Sequence, residues 1–252
     1  MPIALIRRIS PRFAECELTF AERVPIDLAL AASQHNGYAQ TLKSLGCEMV
    51  EMPALAEFPD SVFVEDTAFI LPEAAVITRP GASSRRGEVD SIANALQPYR
   101  ELLWVREPAT VDGGDVLTLG KDIYIGLSTR SSVPALSQVH SLLSHFGYRV
   151  FLIPIRGCLH LKSAVTRINE DTLLLNPAWV DSEHFKKYEL IPVDPSEPHA
   201  ANILPIGDVC IFPSNYPLTQ SRLDARDVKV IPLDLSEILK AEGAVTCCSL
   251  IL

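Results

Sequence analysis

The sequence contains no apolar run that approaches the length of a membrane span. Crossing a bilayer takes about 18 or more consecutive apolar residues, and every apolar stretch of this 252-residue chain is much shorter. The segment Met1–Arg8 has too short an apolar part and the wrong charge order for a signal peptide. We therefore expect a soluble, cytoplasmic protein that makes no contact with a membrane.

A disulfide framework and a basic surface are also missing. The six cysteines show no regular spacing, and a cytoplasmic compartment keeps thiols reduced. The net charge is −9, whereas a surface that binds nucleic acid needs a basic stripe, and the clusters Arg7-Arg8 and Arg85-Arg86 are short. The composition argues against nucleic acid as a partner and fits a small cationic ligand better.

No linker or low-complexity segment divides the chain. Its 19 prolines are scattered, and with 48% hydrophobic and 21% charged residues it has a globular composition. A chain of this length lies near the upper size for one hydrophobic core. We predict a single domain over residues 1–252.

What the sequence does contain is a recurring hairpin pattern. A polar or acidic start, a short apolar strand, a turn and a second apolar strand recur at intervals of about 40–50 residues. Pairs such as Pro-Glu and Gly-Asp supply the turns. The four segments are residues 65–79, 113–127, 163–176 and 201–212.

Helical patterns separate the hairpins. Apolar residues recur at helical spacing in Ile26–Leu45, Val89–Leu96 and Ser131–Phe146. Repetition of hairpin, helix and strand indicates an α/β fold of the propeller type with five blades. The fifth blade must be split, with Cys247–Leu252 pairing against Ile3–Arg8. An irregular α+β domain is the alternative.

The last ten residues carry two adjacent cysteines, Cys247 and Cys248, before a short apolar run. Core packing is the simpler interpretation, because free cysteines are among the most buried residues. The other interpretation is that one of the two cysteines is a nucleophile at the end of a fixed strand. Neighbouring strand residues point to opposite faces, and structural zinc sites usually place about two to four residues between paired cysteines. We therefore expect no metal site, and one thiol at most facing the axis.

Polar residues at the hairpin starts should converge at the axis of such a ring. Each has an ordinary explanation alone, because acidic residues and Asp-Gly-Gly are common in turns and a lone histidine is usually a core group. Together, a thiol, a histidine and a carboxylate form a nucleophile–base set. Additional carboxylates match the planar fork of a guanidinium. The residues are Asp60, Glu65, Asp66, Asp112, Asp115, His160 and Cys247.

The motifs around these residues resemble the dimethylarginine dimethylaminohydrolases, within the guanidine-modifying superfamily of five-bladed α/β propellers. The matching segments occur in the order of the family and cover nearly the whole chain. They are residues 58–67, 79–88, 112–117, 126–130, 160–163 and 246–249.

The resemblance implies a role for each matched residue. Cys247 is the nucleophile, His160 the general acid/base and Asp112 the carboxylate that orients His160, while Cys248 only packs. Asp66 holds the guanidinium, and Asp60 and Glu65 complete an acidic wall. Arg85 and Arg130 bind the amino-acid carboxylate. Backbone groups near Leu18, on a mobile lid, and near Ala241 contact the ligand.

The reaction that the resemblance implies is hydrolysis of Nω,Nω-dimethyl-L-arginine, or the monomethyl compound, to L-citrulline and the corresponding amine. A covalent thiouronium intermediate forms on Cys247, and no cofactor is needed. The alternatives are an arginine deiminase or another guanidine or ureido hydrolase, and a non-catalytic binding protein of this fold. The chain has no room for the extra helical insertion of a typical deiminase. The exposed edges of such a ring leave a homodimer open.

Overall fold

The computed structural model describes residues 1–252 and contains five separate three-stranded sheets. The strands are short and are β1 Ile3–Arg7, β2 Glu48–Met52, β3 Ala68–Ile70, β4 Ala74–Ile77, β5 Glu101–Trp104, β6 Val116–Leu119, β7 Asp122–Leu127, β8 Arg149–Pro154, β9 Val165–Arg167, β10 Thr172–Leu175, β11 Glu189–Pro192, β12 Leu204–Ile206, β13 Val209–Pro213, β14 Val230–Leu233 and β15 Ser249–Ile251. The helices are α1 Leu28–Ser44, α2 Val89–Leu96, α3 Val133–Leu143, α4 Leu161–Ala164, α5 Pro217–Asp224 and α6 Ser236–Leu239. Each sheet forms one blade, and the predicted α/β propeller is confirmed.

Four blades are continuous in sequence and share one topology. In each, the first strand pairs antiparallel with the second, and the second pairs parallel with the third, as in β3-β4-β5 and β6-β7-β8. A parallel pair needs a crossover, and α2, α3 and α5 supply it in three of these blades. In the fourth, β9-β10-β11, the crossover contains only the 3-10 turn Ser182–Phe185. The four predicted hairpins are the antiparallel pairs of these blades.

The fifth blade joins the two chain ends. β15 pairs antiparallel with β1, placing Ser249 opposite Ile6, and β1 pairs parallel with β2 across α1. The predicted closure is confirmed, but its carboxyl strand begins at Ser249, two residues later than expected. Cys247 lies in the preceding turn, because Thr246 is hydrogen bonded to Asn202 and Glu65 rather than to the ladder.

The first strand of each blade lines the central axis. A cavity of about 260 Å³ at one end of this axis is lined by residues of all five inner strands, among them Phe69, Leu117, Arg167, Leu204 and Leu250. The apolar core is divided into clusters under the blades and helices, the largest of which contains both Ile6 and Cys248. None of the six helices combines the length and hydropathy that crossing a bilayer requires.

Candidate active site

The segments that lead into the inner strands meet at the end of the axis opposite this cavity. They are the 3-10 turn Val64–Thr67 before β3, the 3-10 turn Gly113–Asp115 before β6, the helix α4 before β9 and the turn 245–248 before β15. The pseudo-symmetry of the ring therefore brings together residues that are far apart in sequence, as the hairpin starts predicted.

The turn that carries Cys247 is fixed on both sides. Tyr38, fully buried, donates its hydroxyl to the carbonyl of Val245 at 2.8 Å. Thr246 donates its hydroxyl to Glu65 Oε2 at 2.8 Å and its N–H to Asn202 Oδ1 at 3.1 Å. The carbonyl of Cys247 itself accepts the N–H of Glu65 at 3.2 Å. These buried bonds hold the thiol in one position, which is the preorganisation that a nucleophile needs.

The two adjacent cysteines lie in different environments. Cys247 is partly exposed and lines the cavity at this end of the axis. Cys248 is fully buried in the largest cluster of the apolar core, where its Sγ lies 3.7 Å from the carbonyl of Ala244. Only Cys247 is therefore open to a ligand in the cavity.

His160 lies between two carboxylates. Its Nε2 is 3.1 Å from Asp112 Oδ2, and its Nδ1 is 3.8 Å from Asp66 Oδ1. Asp112 is completely buried, and its other oxygen accepts the N–H of Gly81 at 2.8 Å. The carboxylate is thereby fixed, and it fixes the plane of the imidazole in turn.

Asp115 attaches the Asp-Gly-Gly-Asp turn to the chain around His160. Its Oδ1 accepts the N–H of Leu161 at 2.9 Å, and its Oδ2 accepts the hydroxyls of Ser128 and Ser131 at 2.5 and 2.6 Å. Gly114 allows this close approach, because a Cβ there would lie 2.6 Å from His160 Nδ1. Gly114 and Asp115 of this turn therefore help to position His160.

A buried ion-pair cluster forms the other wall of the site. Arg85 donates from Nη1 to Asp66 Oδ2 at 2.5 Å, and from Nε and Nη2 to Glu88 at 3.1 and 2.8 Å. It also donates to the carbonyls of Asp60 and Phe63. All three nitrogens of the guanidinium are therefore engaged inside the protein.

The surrounding charges shift the pKa values of His160 and Cys247. Burial alone lowers the pKa of His160, but Asp66, Asp112 and Asp115 outweigh burial and raise this pKa to about 9. Burial, with Glu65 and Asp66 nearby, raises the pKa of the Cys247 thiol well above its ordinary value. Burial also raises the pKa of Asp115, to about 6. At neutral pH the unliganded site therefore contains a protonated histidine and a neutral thiol.

Asp66 remains ionised within this set. Burial acts to raise its pKa, but His160 and Arg85 together outweigh burial and lower it. Single oxygen or nitrogen atoms of Asp66, Asp112 and His160 lie within 4.8 Å of one another, a geometry that could ligate a metal ion. With its pKa raised to about 9, His160 is protonated on both ring nitrogens at neutral pH and offers no lone pair to a metal ion. These three side chains are therefore suited to hold a proton on His160 and to bind a cationic group at Asp66.

The predicted site residues are not all in the cavity. Asp60, Asp66, Arg85, Arg130, His160, Ala241 and Cys247 line it, together with Phe63, Leu159, Gly243 and two glutamates, Glu17 and Glu242. Asp112 reaches it only through His160. Glu65 pairs with Lys162 and Thr246 and borders the cavity at the other end of the axis instead. Leu18 is half-buried against the largest cluster of the apolar core.

The two arginines expected to bind a carboxylate differ. Arg85 is 3% exposed and engaged in the ion-pair cluster. Arg130 is half-buried, and Nη2 of its guanidinium donates only to Thr19 Oγ1 at 3.2 Å. Arg130 is therefore the arginine with free donors beside the cavity.

A loop without helix or strand, residues 17–24, covers the site. The N–H of Glu17 lies 3.2 Å from both carboxylate oxygens of Asp60, and its side chain accepts the hydroxyl of Ser84 at 2.6 Å. Beneath this lid the cavity has a volume of about 20 Å³, about that of a single ordered water. The site is closed in this structure.

Sequence reasoning missed several residues that build the site. Glu88 lies three residues after Arg85, and Lys162 lies two residues after His160. Both belong to segments that resemble the family, residues 79–88 and 160–163. Asn202, which holds Thr246, opens the fourth predicted hairpin. Glu242 has no sequence signal beyond its position before Gly243.

The fold and the site define a class of protein: a five-bladed α/β propeller with a cysteine, a histidine and carboxylates at one end of its axis. The model of the family described as N,N dimethylarginine dimethylhydrolase, eukaryotic, matches residues 19–251. The chain belongs to this family.

Characterised relatives and solved structures agree with this assignment. The chain is 37% identical to the N(G),N(G)-dimethylarginine dimethylaminohydrolase of Streptomyces coelicolor over 98% of this chain and 95% of that one. It is 32% identical to the protein of the same name from Pseudomonas aeruginosa, over 98% of both. A cysteine-to-serine mutant of the Pseudomonas enzyme, complexed with citrulline, superposes with a TM-score of 0.94 at 31% identity, covering 99% and 98% of the two chains.

Two further structures bear on the site and the fold. A histidine-to-glycine variant of a dimethylarginine dimethylaminohydrolase, an adduct with S-methyl-L-thiocitrulline, superposes with a TM-score of 0.94 at 31% identity over 99% and 98% of the two chains. The amino-terminal domain of a cyanobacterial arginine dihydrolase has a TM-score of 0.84 at 19% identity over 100% and 98%, and shares the fold.

Proposed function

We propose that this protein hydrolyses Nω,Nω-dimethyl-L-arginine to L-citrulline and dimethylamine, and the monomethyl compound to citrulline and methylamine. The observation that carries the proposal is the arrangement of Cys247, His160 and Asp66 around one closed cavity. The family and the citrulline complex of the Pseudomonas relative support the substrate class.

Binding of the substrate is the first step that the site suggests. Asp66 is ionised and retains free lone pairs on both oxygens after its bonds to Arg85 and Gly114. It is suited to accept the guanidinium of the substrate. Arg130, with donors to spare, suits the amino-acid carboxylate, while Arg85 acts by holding Asp66 in place.

Ionisation of the nucleophile follows from binding. The thiol of Cys247 is neutral in the unliganded site because burial and carboxylates raise its pKa. A guanidinium in the cavity adds a positive charge next to Sγ, which favours the thiolate. The substrate thereby promotes loss of the thiol proton to solvent before the lid closes.

The covalent step then uses the proton on His160. The thiolate attacks the guanidinium carbon, and the bond from this carbon to the dimethylated nitrogen breaks as His160 donates its proton to that nitrogen. Dimethylamine leaves, and an S-alkylthiouronium remains on Cys247. A pKa of about 9 supplies His160 with this proton at neutral pH.

Hydrolysis restores the enzyme. A water attacks the thiouronium carbon while the now neutral His160 accepts a proton from it. The carbon–sulfur bond breaks and the thiolate is released. The remaining hydroxyl proton passes to solvent, which leaves neutral citrulline. None of these steps requires a cofactor.

The amine that is released distinguishes dimethylarginine hydrolysis from arginine deiminase activity. We measure citrulline, dimethylamine, methylamine and ammonia from dimethylarginine, monomethylarginine and arginine, with Cys247→Ser as the matched inactive control. Dimethylamine in a one-to-one ratio with citrulline supports the proposal. Ammonia from arginine as the main product would instead support an arginine deiminase, and binding without any product would support a non-catalytic protein.

The setting of the protein is part of the same proposal. All six cysteines are free, and the five other than Cys247 are buried outside the site, which suits the reducing cytoplasm. A homodimer through an exposed blade edge, a single domain and the absence of a nucleic-acid or membrane partner stay predictions.

A further inference from the structure

The closed cavity requires the lid to move. Its volume of about 20 Å³ leaves no room for an amino acid. Residues 17–24 cover it, are mostly exposed, and contain neither helix nor strand. Whatever holds these residues down therefore sets how often a ligand enters.

One side chain holds the tip of the lid. Glu242 Oε2 accepts the N–H of Thr19 at 2.7 Å, and its Oε1 accepts the N–H groups of Phe20 and Ala21 at 2.7 and 2.8 Å. Three consecutive backbone donors thus meet one carboxylate more than 220 residues away in sequence. Bonds of this charge-assisted kind are about twice as strong as neutral ones.

Glu242 adopts an unfavourable backbone conformation to do so. Its φ is +57°, in the left-handed region where a glycine is normally found. Glycine occupies the next position instead, because a Cβ on Gly243 would lie 2.2 Å from the ring of Phe63. Strain of this kind persists where the surrounding structure requires it, and it concentrates at functional sites.

The helix α6 and the residue after it hold the segment that follows the lid. Glu237, on α6, accepts the N–H of Asp27 at 2.9 Å, and Lys240 donates to the carbonyl of Pro25 at 3.1 Å. α6 therefore fixes the stem of the loop, and Glu242, just beyond α6, fixes its tip. A carboxylate contact at the tip can break without releasing the stem.

Glu242 also stands at the wall of the site. It lines the small cavity with Cys247 and His160, and a neighbouring cavity of about 230 Å³ that includes Phe20 and Tyr216. Release of the lid from Glu242 would open both cavities to solvent. On the other side, Arg130 donates to Thr19 Oγ1, and a substrate carboxylate would compete for this arginine.

From these contacts we infer that Glu242 is the latch of the lid, a positioning residue that sets the balance between closed and open states and so controls substrate entry. The kinetic part of this inference rests on the proposed function. The structural part does not.

Four variants separate the latch from its strain and its charge. Glu242→Gly removes the carboxylate and relieves the left-handed strain, so that loss of folding cannot explain its effect. Glu242→Ala removes the carboxylate alone. Glu242→Gln removes the charge but keeps one acceptor oxygen, and Glu22→Ala removes a lid carboxylate that makes no hydrogen bond in the structure.

The first readouts need no substrate. We follow amide hydrogen exchange of residues 17–24 and alkylation of Cys247 by iodoacetamide at one fixed pH. In the Gly and Ala variants both rates rise by about 10-fold or more, because exchange and alkylation follow the open population. The Gln variant lies between these and the parent chain, and Glu22→Ala matches the parent. Unchanged exchange in the Gly variant, or equal alkylation in the Gln and Gly variants, overturns the inference.

The kinetic readout then tests the consequence for the reaction. With dimethylarginine, KM in the Gly variant rises by roughly 10-fold while kcat changes by less than about 3-fold, because closed-state binding weakens and the reacting groups are untouched. A kcat loss at constant KM contradicts the latch. If the parent chain does not turn over dimethylarginine, the proposed function fails. Hydrogen exchange and alkylation still show whether Glu242 holds the lid closed.

Discussion

The blades and the lid hold their halves of the site in different ways. On the blade side, buried hydrogen bonds from Tyr38 and Thr246 fix the turn that carries Cys247, and a part-buried bond from Gly81 fixes Asp112 beside His160. The tip of the lid is held by three exposed backbone bonds to one carboxylate, Glu242. Buried bonds rarely open, whereas exposed bonds open at low cost. The side chains of the blades are therefore held in one position, whereas the lid can open and close over them.

The adjacent cysteines give the sharpest test of this contrast, and the largest expected effect. Cys247→Ser lowers kcat on the order of 10⁴-fold, because a hydroxyl is a far weaker nucleophile. Cys248→Ala, a change in the core beside it, leaves kcat within about 3-fold of the parent value. Citrulline formation by both variants checks this.

Full activity in Cys247→Ser, or a comparable loss in Cys248→Ala with the fold intact by circular dichroism, would contradict the assignment of the nucleophile.

The two arginines extend the contrast to stability. Arg85→Ala leaves Asp66 and Glu88 buried without their cation, and we expect a loss of about 3–5 kcal/mol in the free energy of unfolding. Arg130→Ala, beside the lid, costs less than about 1 kcal/mol because its only bond is exposed, but it raises KM. Urea denaturation and steady-state kinetics measure the two effects.

The reverse result is a large loss of unfolding free energy in Arg130→Ala, with a change in KM alone in Arg85→Ala. It would show that the ion-pair cluster of Arg85, Asp66 and Glu88 does not stabilise the blades.

The buried histidine predicts how stability depends on pH. The pKa of His160 is raised from 6.5 to about 9 in the folded protein, so its contribution is complete below pH 6.5 and is lost as pH rises through about 9. The loss approaches about 3 kcal/mol, since each pKa unit is worth about 1.4 kcal/mol. Denaturation curves between pH 6 and 9.5 measure it, with His160→Asn as the control that should show a flatter dependence.

A parent chain that gains stability over this interval would mean that the carboxylates do not stabilise the imidazolium.

Much of the fold was predictable because the signals were local. Turn pairs between short apolar runs located four hairpins, and the periodicity of residues 89–96 matches α2. The terminal strand was predicted as Cys247–Leu252 but spans only Ser249–Ile251, because Cys247 and Cys248 lie in a turn. Bonds from Tyr38 and Asn202, more than 40 residues away, bend this segment into a turn.

The site was predictable as a set of residues but not as a set of contacts. Position in the repeat and the family motifs indicated Cys247, His160 and Asp66. That Arg85 is buried against Glu88, and that Glu65 pairs with Lys162, depends on packing between blades. Glu242 holds the lid through backbone N–H groups, which leave no trace in the sequence of the loop that they belong to.

The residue that carries the covalent bond tests the assignment of Cys247 as the nucleophile most directly. We incubate the His160→Gly variant with S-methyl-L-thiocitrulline, digest it with trypsin, and fragment the peptide that follows Lys240 in a mass spectrometer. If Cys247 is the nucleophile, one thiouronium adduct forms, and it lies on Cys247. An adduct on Cys248, or none while the ligand is bound, would contradict this assignment.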